Sequence, residues 1–315
     1  MQAEKKGRII KSTGRWYQVK AEDGNCYNCS LKGTFRIKGI KTTNPLAIGD
    51  KVYFSLKDSD NGVITKYEPR TNYIIRKSTK LSKQTHILAA NIDQAMLIAT
   101  LAYPRTSTGF IDRFLVTAEA YHIPAKIVIH KTDIYDEKQL QIAKQLTDVY
   151  EDAGYETLCT SIYSKPALEE LSGMLNNRLT LIAGHSGVGK SALLNKLSPG
   201  LKLKTGELSN THQKGKHTTT FATMLELWPN TWVIDTPGIK EFGLVDMEKD
   251  EIRLYFPEMM RLAENCRFYN CTHVHEPGCA VKKAVENKTI ADFRYKNYLN
   301  LREGKEMNMN PWELK

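Results

Sequence analysis

No eight residues limit the possible folds of this 315-residue chain more than Gly184, His185, Ser186, Gly187, Val188, Gly189, Lys190 and Ser191, a complete G-x-x-x-x-G-K-[ST] run. A loop of this composition gathers phosphate oxygens because its glycines let the backbone turn sharply and aim successive N–H groups at one point. It needs a strand to deliver it and a helix to leave it, and the positive N-terminal end of that helix completes the anion site. Both flanks are present. Leu179, Thr180, Leu181, Ile182 and Ala183 make a short apolar strand, and 191–197 begin a helical pattern. The loop therefore places the middle of the chain in the α/β class.

Its surroundings agree. Apolar runs at 95–100, 126–130 and 157–160 read as further buried strands, stretches at 109–121 and 139–153 as helices between them, and 224–227 and 231–235 as two more strands. Strands alternating with helices of this length imply a parallel sheet covered on both faces. Before residue 72 the pattern differs. Short strands at 8–11, 16–20, 26–30, 51–56 and 62–65 are separated by turn residues such as Asp23, Gly24 and Asn25, which argues for a small β-barrel. Arg8, Lys11, Arg15, Lys20, Lys32, Arg36, Lys38 and Lys41 are interleaved there with Trp16, Tyr17, Tyr27 and Phe35. Cations that hold a backbone and aromatics that stack on bases suit an oligonucleotide-binding barrel; the competing reading is a barrel whose aromatics fill its own core. Beyond residue 242 the pattern is mainly helical, with a Cys/His-rich loop at 266–279 and one helix expected over about 282–301. The expected chain is thus multidomain: a barrel at 1–72, a P-loop α/β domain at 73–243 and a helical domain at 244–315.

Charge and cysteine usage narrow the class. Forty-five Lys and Arg against 35 acidic residues give +10, a balance that favours polyanions because counterions are released on binding. No apolar run approaches the ~18 residues that span a bilayer; the best stretch, 87–103, contains Asn91, Asp93 and Gln94. The N-terminal residues are charged and lead into no apolar core, so a cytoplasmic chain without membrane partners is expected, and a monomer. Six cysteines in a chain of this size read as reduced or metal-bound thiols rather than a disulfide framework.

The chemistry of the loop extends to partners on either side. Lys190 can bridge terminal phosphates and the Ser191 hydroxyl can ligate Mg²⁺. Asp235, ending a strand in an Asp-Thr-Pro-Gly run, can hold Mg²⁺ through water, and Gly238 can offer its N–H to the terminal phosphate. Thr218, Thr219 and Thr220 lie between them; any of the three can supply a second Mg²⁺ hydroxyl, with Thr219 favoured. Before the loop come His130, Lys131, Thr132 and Asp133. A carboxylate at Asp133 can accept from both the ring N–H and the exocyclic amine of guanine, a pair adenine does not present. Lys131 can lie along the base, and Ser161 can offer a backbone N–H to the guanine oxygen. Ala192 completes the nucleotide-binding set. Ile239 follows Gly238 where many GTPases carry the Gln that orients the attacking water, so unaided hydrolysis should be slow. His217 is the internal candidate for that role, against a plain solvated histidine.

A second centre lies downstream. Cys266, Cys271, His273 and Cys279 supply three thiols and an imidazole in one short stretch, the ligand set of a closed structural Zn²⁺ site. His275 is the alternative imidazole. Cys26 and Cys29 form a lone pair within a strand and read as packing, and Cys159 as core.

The order of these motifs, base reader before phosphate loop, together with the Cys-x4-Cys-x-His-x5-Cys spacing, resembles the circularly permuted ribosome-assembly GTPases of the small ribosomal subunit biogenesis GTPase RsgA family. The match runs through nearly the whole chain, including Ala89 to Asp93 and Ile111 to Leu115; His130 in place of Asn and the sequence around Ser161 depart from it. The resemblance implies an OB-fold barrel, a permuted GTPase domain and a zinc domain that clamp the immature small subunit through its rRNA. It also implies GTP hydrolysis to GDP and phosphate, stimulated by that subunit and coupled to late maturation. Two rivals stand beside it: a stand-alone P-loop hydrolase or kinase acting on a small molecule, which Asp133 opposes, and a non-catalytic nucleotide-gated RNA-binding scaffold, which the intact Lys190, Ser191 and Asp235 oppose.

Overall fold

Period-two burial begins at the first strand. In the computed structural model, which describes residues 4–13, 16–32, 45–77, 85–203, 223–235 and 247–305, β1 (Lys5–Ser12) turns Gly7 and Ile9 inward and Lys6, Arg8 and Ile10 outward. β2 (Tyr17–Ala21), β3 (Cys26–Leu31), β4 (Lys51–Leu56) and β5 (Asn61–Tyr67) alternate in the same way. β1 pairs with β2, β2 with β3, β3 with β5 in parallel, β5 with β4, and β4 with β1 again, which closes a five-stranded barrel and removes the open edges that invite aggregation. Ile9, Tyr17, Val19, Phe54 and Ile64 fill it. Of the four aromatics singled out in this region, Tyr17 and Tyr27 are core, Trp16 is exposed, and Phe35 lies outside the described residues.

A two-stranded hairpin, β6 (Tyr73–Lys77) and β7 (Thr85–Ala90), which the sequence pattern did not suggest, leads into the main sheet. Then come β8 (Gln94–Ala99), α1 (Thr108–Ala120), β9 (Ala125–Ile129), α2 (Glu137–Ala153), β10 (Glu156–Cys159), α3 (Lys165–Leu175), β11 (Leu179–Ala183), α4 (Lys190–Leu197), β12 (Thr223–Trp228) and β13 (Thr231–Asp235). The spatial order is β10-β9-β8-β11-β13-β12. Every pair is parallel except β12–β13, which is antiparallel and corrects the expectation of a wholly parallel sheet; its two strands are joined by a tight turn, and a tight turn reverses direction. β8 and β11 are buried at every residue, as strands covered on both faces must be. α1 and α2 cover one face over Leu97, Ile127 and Leu181; α3 and α4 cover the other over Met96, Ile98 and Ile182. α3 also went unread in the sequence.

The barrel is joined to this sheet directly: Lys11 of β1 pairs with Thr223 of β12, and the Ala90 N–H donates to the Ile48 carbonyl at 2.8 Å. At Gly49, φ is 90° and a Cβ would lie 2.0 Å from the Ala90 carbonyl oxygen, so only glycine allows the approach. The C-terminal region carries α5 (Pro257–Ala263), α6 (Ala280–Glu286) and α7 (Asp292–Arg302). The single helix expected over 282–301 is therefore two. Lys288 takes φ 63° and the Thr289 and Ile290 N–H groups both turn back to the Ala284 carbonyl, ending α6 one turn before α7 starts. Among the described residues no helix is long and apolar enough to cross a membrane.

Candidate functional site

Five parallel strands end on one edge of the sheet, so the loops that follow them meet there although the chain visits them far apart. The phosphate loop leaves β11, and Gly189, at φ 101°, caps α4. A Cβ on Gly189 would sit 2.9 Å from the His130 ring, so both the φ and the packed imidazole demand glycine. Lys190 donates from Nζ to the carbonyls of Gly184 at 2.8 Å and His185 at 3.0 Å, which curls the loop around its own ammonium. Val188 anchors the loop in the apolar layer beneath it. Ser191 is buried in the first turn of α4, Ala192 half-buried beside it, and Ser186 and Gly187 face outward. The His185 ring lies on Phe110 of α1, centroids 4.1 Å apart.

The base-reading turn follows β9. The His130 N–H donates to the Ala99 carbonyl at 2.8 Å, and its ring is buried. Desolvation, opposed by the Asp133 charge, pushes the imidazole down to about 4, so it is neutral at ordinary pH. It acts there as a packing group against Gly189, and its Nδ1 has no hydrogen-bond partner among the described residues. Lys131 takes a left-handed φ of 65°, which swings its ammonium to the Gly187 carbonyl at 2.8 Å and to the Tyr103 carbonyl. One cation thus ties the base-reading turn to the phosphate loop and to the loop after β8. The Thr132 N–H reaches the Thr160 carbonyl at 3.2 Å, tying in the loop after β10, where Ser161 is buried and its hydroxyl accepts from the Tyr163 N–H at 3.1 Å. Asp133 is exposed in a 3-10 turn, its carboxylate open to a ligand.

Tyr135 is the functional residue that sequence reading missed. Its buried hydroxyl accepts from Leu101 N–H and donates to the His130 carbonyl, both at 2.7 Å, so it sets the spacing between two of the loops. A tyrosine two residues past the motif was the only hint, and its partner lies 34 positions back. The backbone of Asp235 closes β13 and pairs in register with Ile182, two residues before the phosphate loop. The Asp235 side chain, Gly238, Ile239, His217, Thr218, Thr219 and Thr220 lie outside the described residues.

The second centre assembles as the spacing expected. Ligand atoms of Cys266, Cys271, His273 and Cys279 all lie within 4.8 Å of one another. His273 Nδ1 is 3.6 Å from Cys266 Sγ and 3.4 Å from Cys279 Sγ, and those sulfurs are 4.0 Å apart. A tetrahedral ion with bonds of about 2.0–2.3 Å needs ligand separations of roughly 3.5–3.8 Å, so one metal ion fits. His275 is exposed and outside the cluster, which decides between the two histidines in favour of His273. Glu276 shapes the loop by accepting from Thr272 N–H, Thr272 Oγ1, Val274 N–H and His275 N–H at 2.6–3.1 Å. Burial alone would raise its pKa, but these bonds carry it down to about 2. Cys29 is buried and Cys26 exposed, on opposite faces of one strand, as ordinary packing requires. Cys159, expected in the core, is exposed at the end of the edge strand β10.

α7 joins the metal loop to α1. Tyr295 and Tyr298 donate to the carbonyls of His273 and Thr272 in the metal loop. From the same helix Arg294, 1% exposed, donates to Asp112 of α1 at 2.6 Å and to both oxygens of Glu258 at 2.8 and 3.0 Å. Asn297 and Tyr150 complete the shell of the Asp112 carboxylate.

Residues 67–245 match the model of the RsgA GTPase family, and 6–64 match that of the RsgA N-terminal domain. The chain is 51% identical to the small ribosomal subunit biogenesis GTPase RsgA 2 of Bacteroides thetaiotaomicron, across 96% of this chain and 97% of that one. It is 52% identical to the RsgA of Christiangramia forsetii with the same coverage. Among solved structures, YjeQ from Thermotoga maritima superposes with TM-score 0.77 at 34% identity, covering 96% of this chain and 98% of its own. YloQ, described as a circularly permuted GTPase, gives 0.75 at 28% identity, covering 96% and 95%.

Proposed function

The chain belongs to the RsgA GTPase family, the GTP hydrolases of small ribosomal subunit biogenesis, and on that premise we propose how its residues carry out the reaction. The observation that supports the reading most directly is the convergence of phosphate loop, base-reading turn and the end of β13 on one sheet edge, with Lys131 tying the first two together. In this proposal Asp133 reads guanine by accepting its ring N–H and exocyclic amine, Lys131 lies along the base, and Thr132, Ser161 and the buried His130 hold the turn against the loop. The backbone of Gly184, His185, Ser186, Gly187, Val188 and Gly189 and the N-terminus of α4, through Ala192, cradle the phosphates. Lys190 leaves its loop carbonyls for the β- and γ-phosphate oxygens. Water attacks the γ-phosphorus as its bond to the bridging oxygen breaks, and Gly238 N–H and Lys190 stabilise the charge that gathers on the phosphate oxygens. His217 accepts from the attacking water, in place of the polar residue that Ile239 lacks. Bound Mg²⁺ neutralises phosphate charge, with Ser191, Thr219 and Asp235 as the residues that hold it.

The proposal extends to the whole chain. We assign 1–72 to an rRNA-binding OB-fold barrel, 73–243 to the permuted GTPase and 244–315 to a zinc domain in which Cys266, Cys271, His273 and Cys279 hold one structural Zn²⁺. The barrel and zinc domain dock a cytoplasmic monomer on the small subunit, whose contact speeds an otherwise slow hydrolysis. GTP turnover with and without purified small subunits, across a salt series, tests this. The stimulated rate should collapse with salt well before the basal rate, because docking through phosphates releases counterions. Equal rates at low salt with and without subunits would refute the coupling.

A further inference from the structure

A cleft of about 560 Å³ opens at the opposite end of the sheet from the phosphate loop, between the outer face of β1 and the first residues of β11 and β13. Period two builds its first wall: Lys6, Arg8 and Ile10 alternate with the inward Gly7 and Ile9 and so project from the barrel toward the sheet. Leu179, Met224 and Trp232 form the facing apolar wall. Asn177 and Asn230, both in left-handed turns, stand at the lip.

The charges in this cleft separate into satisfied and unsatisfied. Lys6 is paired with Glu68 at 2.7 Å and Lys20 with Glu226 at 3.6 Å. The side chains of Arg8 and Lys51 form no hydrogen bond or ion pair among the described residues. Arg8 is partly desolvated in the wall, which pushes its pKa down against the opposing charge of Asp93. A guanidinium in that position gains from an anion with two oxygens set side by side, the geometry of a phosphate. The unpaired cations Arg8 and Lys51 face two carboxylates without an ion pair, Asp93 and Glu22, and Asp93 already accepts the Leu179 N–H at 2.7 Å. The cleft is therefore neutral overall, so any anion contact is local to the Arg8 guanidinium and the Lys51 ammonium, and a polyphosphate is disfavoured. The half-buried Trp232 ring offers a stacking face, and the lip asparagines offer paired donors and acceptors to a base edge. The volume falls within the ~300–1,000 Å³ of small-ligand sites.

We propose that this cleft binds a single nucleotide unit, its phosphate on Arg8 and Lys51 and its base against Trp232. The chemistry is the same for a free 5′-mononucleotide and for one unstacked residue of an RNA strand, and it does not depend on the function proposed above. The test uses the full chain saturated with GDP and Mg²⁺, so that the phosphate loop is occupied. Equilibrium dialysis then measures the four 5′-ribonucleoside monophosphates and a mixed-sequence single-stranded hexaribonucleotide. Saturable binding is expected, weakened about 10-fold or more by Arg8→Gln through loss of a charge-assisted contact. Asn230→Asp, in an exposed turn that tolerates Asp, should weaken it as well by removing the amide donor offered to the base edge. Tighter binding of the hexamer, with displacement of the mononucleotide, identifies an RNA residue; a mononucleotide that the hexamer fails to displace identifies a free nucleotide. The proposal is overturned if neither probe binds saturably, or if Arg8→Gln and Asn230→Asp, each retaining wild-type GDP affinity, bind as the parent does.

Discussion

Around the phosphate loop, position comes from strands. β8 and β11 are buried along their whole length, two apolar layers cover the sheet, and the loops inherit their places from strand ends. Around the metal loop the described residues form α-helices of 7, 7 and 11 residues, a short 3-10 turn at Ile252–Tyr255 and one smaller apolar cluster. The loop's shape there comes from four converging ligands, the Glu276 carboxylate and two tyrosine hydroxyls of α7. A small region that cannot bury enough apolar surface needs a metal or another staple. The contrast teaches that the nucleotide edge should tolerate loss of single polar contacts, whereas the metal region should depend on a few.

The sharpest way to break that contrast is to remove the metal proposed for the Cys266, Cys271, His273 and Cys279 quartet. Structural zinc in small sites supplies on the order of 10–16 kcal/mol of apparent binding free energy, so chelation should abolish amide protection across 257–302 while β8, β11 and GDP binding persist. Unchanged protection in that span after complete metal loss would show that the helices stand alone.

The Arg294 cluster comes next. Arg294→Ala leaves Asp112 and Glu258 buried without their cation and should cost about 3–5 kcal/mol in denaturant unfolding. Adding Asp112→Asn to that variant should recover part of the loss. A cost below about 1 kcal/mol would mean that apolar packing, not charge, holds α7 to α1.

Lys190→Ala probes the other region, where chemistry should suffer and the fold should not. Loss of one stabilising charge typically costs about 10²–10³ in rate; single-turnover hydrolysis measures it, and an unchanged melting midpoint would support the view that strands alone position the loop.

The smallest effect is electrostatic. His130 has its folded pKa depressed to about 4 against an ordinary value near ~6.5, so the unfolded chain takes up the proton first as pH falls. The stability it contributes is complete above about pH 6.5 and is lost progressively as pH drops through 4, roughly 2 kcal/mol by pH 5. His130→Asn should remove that slope between pH 7.5 and 5 in guanidinium titrations. An identical slope in both proteins would locate the titrating group elsewhere.

Residue patterns foretold much of this architecture. The barrel strands, the alternation from β8 onward, the phosphate loop and the metal quartet were all readable, because alternation, glycine-rich turns and clustered ligands are properties of a few adjacent residues. The β6–β7 hairpin and α3 escaped because their apolar patterns are short, and the split between α6 and α7 because a lysine holds a left-handed position that glycine usually marks. Cys159 was misjudged because burial of an edge strand depends on what lies beyond it.

What the chain determined by itself is therefore local: which segments are strands, where the backbone can turn toward phosphate, and which four side chains can share a metal ion. Tertiary structure alone decided the partners. Lys131 meets Gly187 across 56 positions, Tyr135 meets Leu101 across 34, and Arg294 meets Asp112 across 182. Each of these side chains is chemically able to bond many others. The choice is made only when sheet order and helix packing bring one acceptor within about 3 Å and exclude water from the rest.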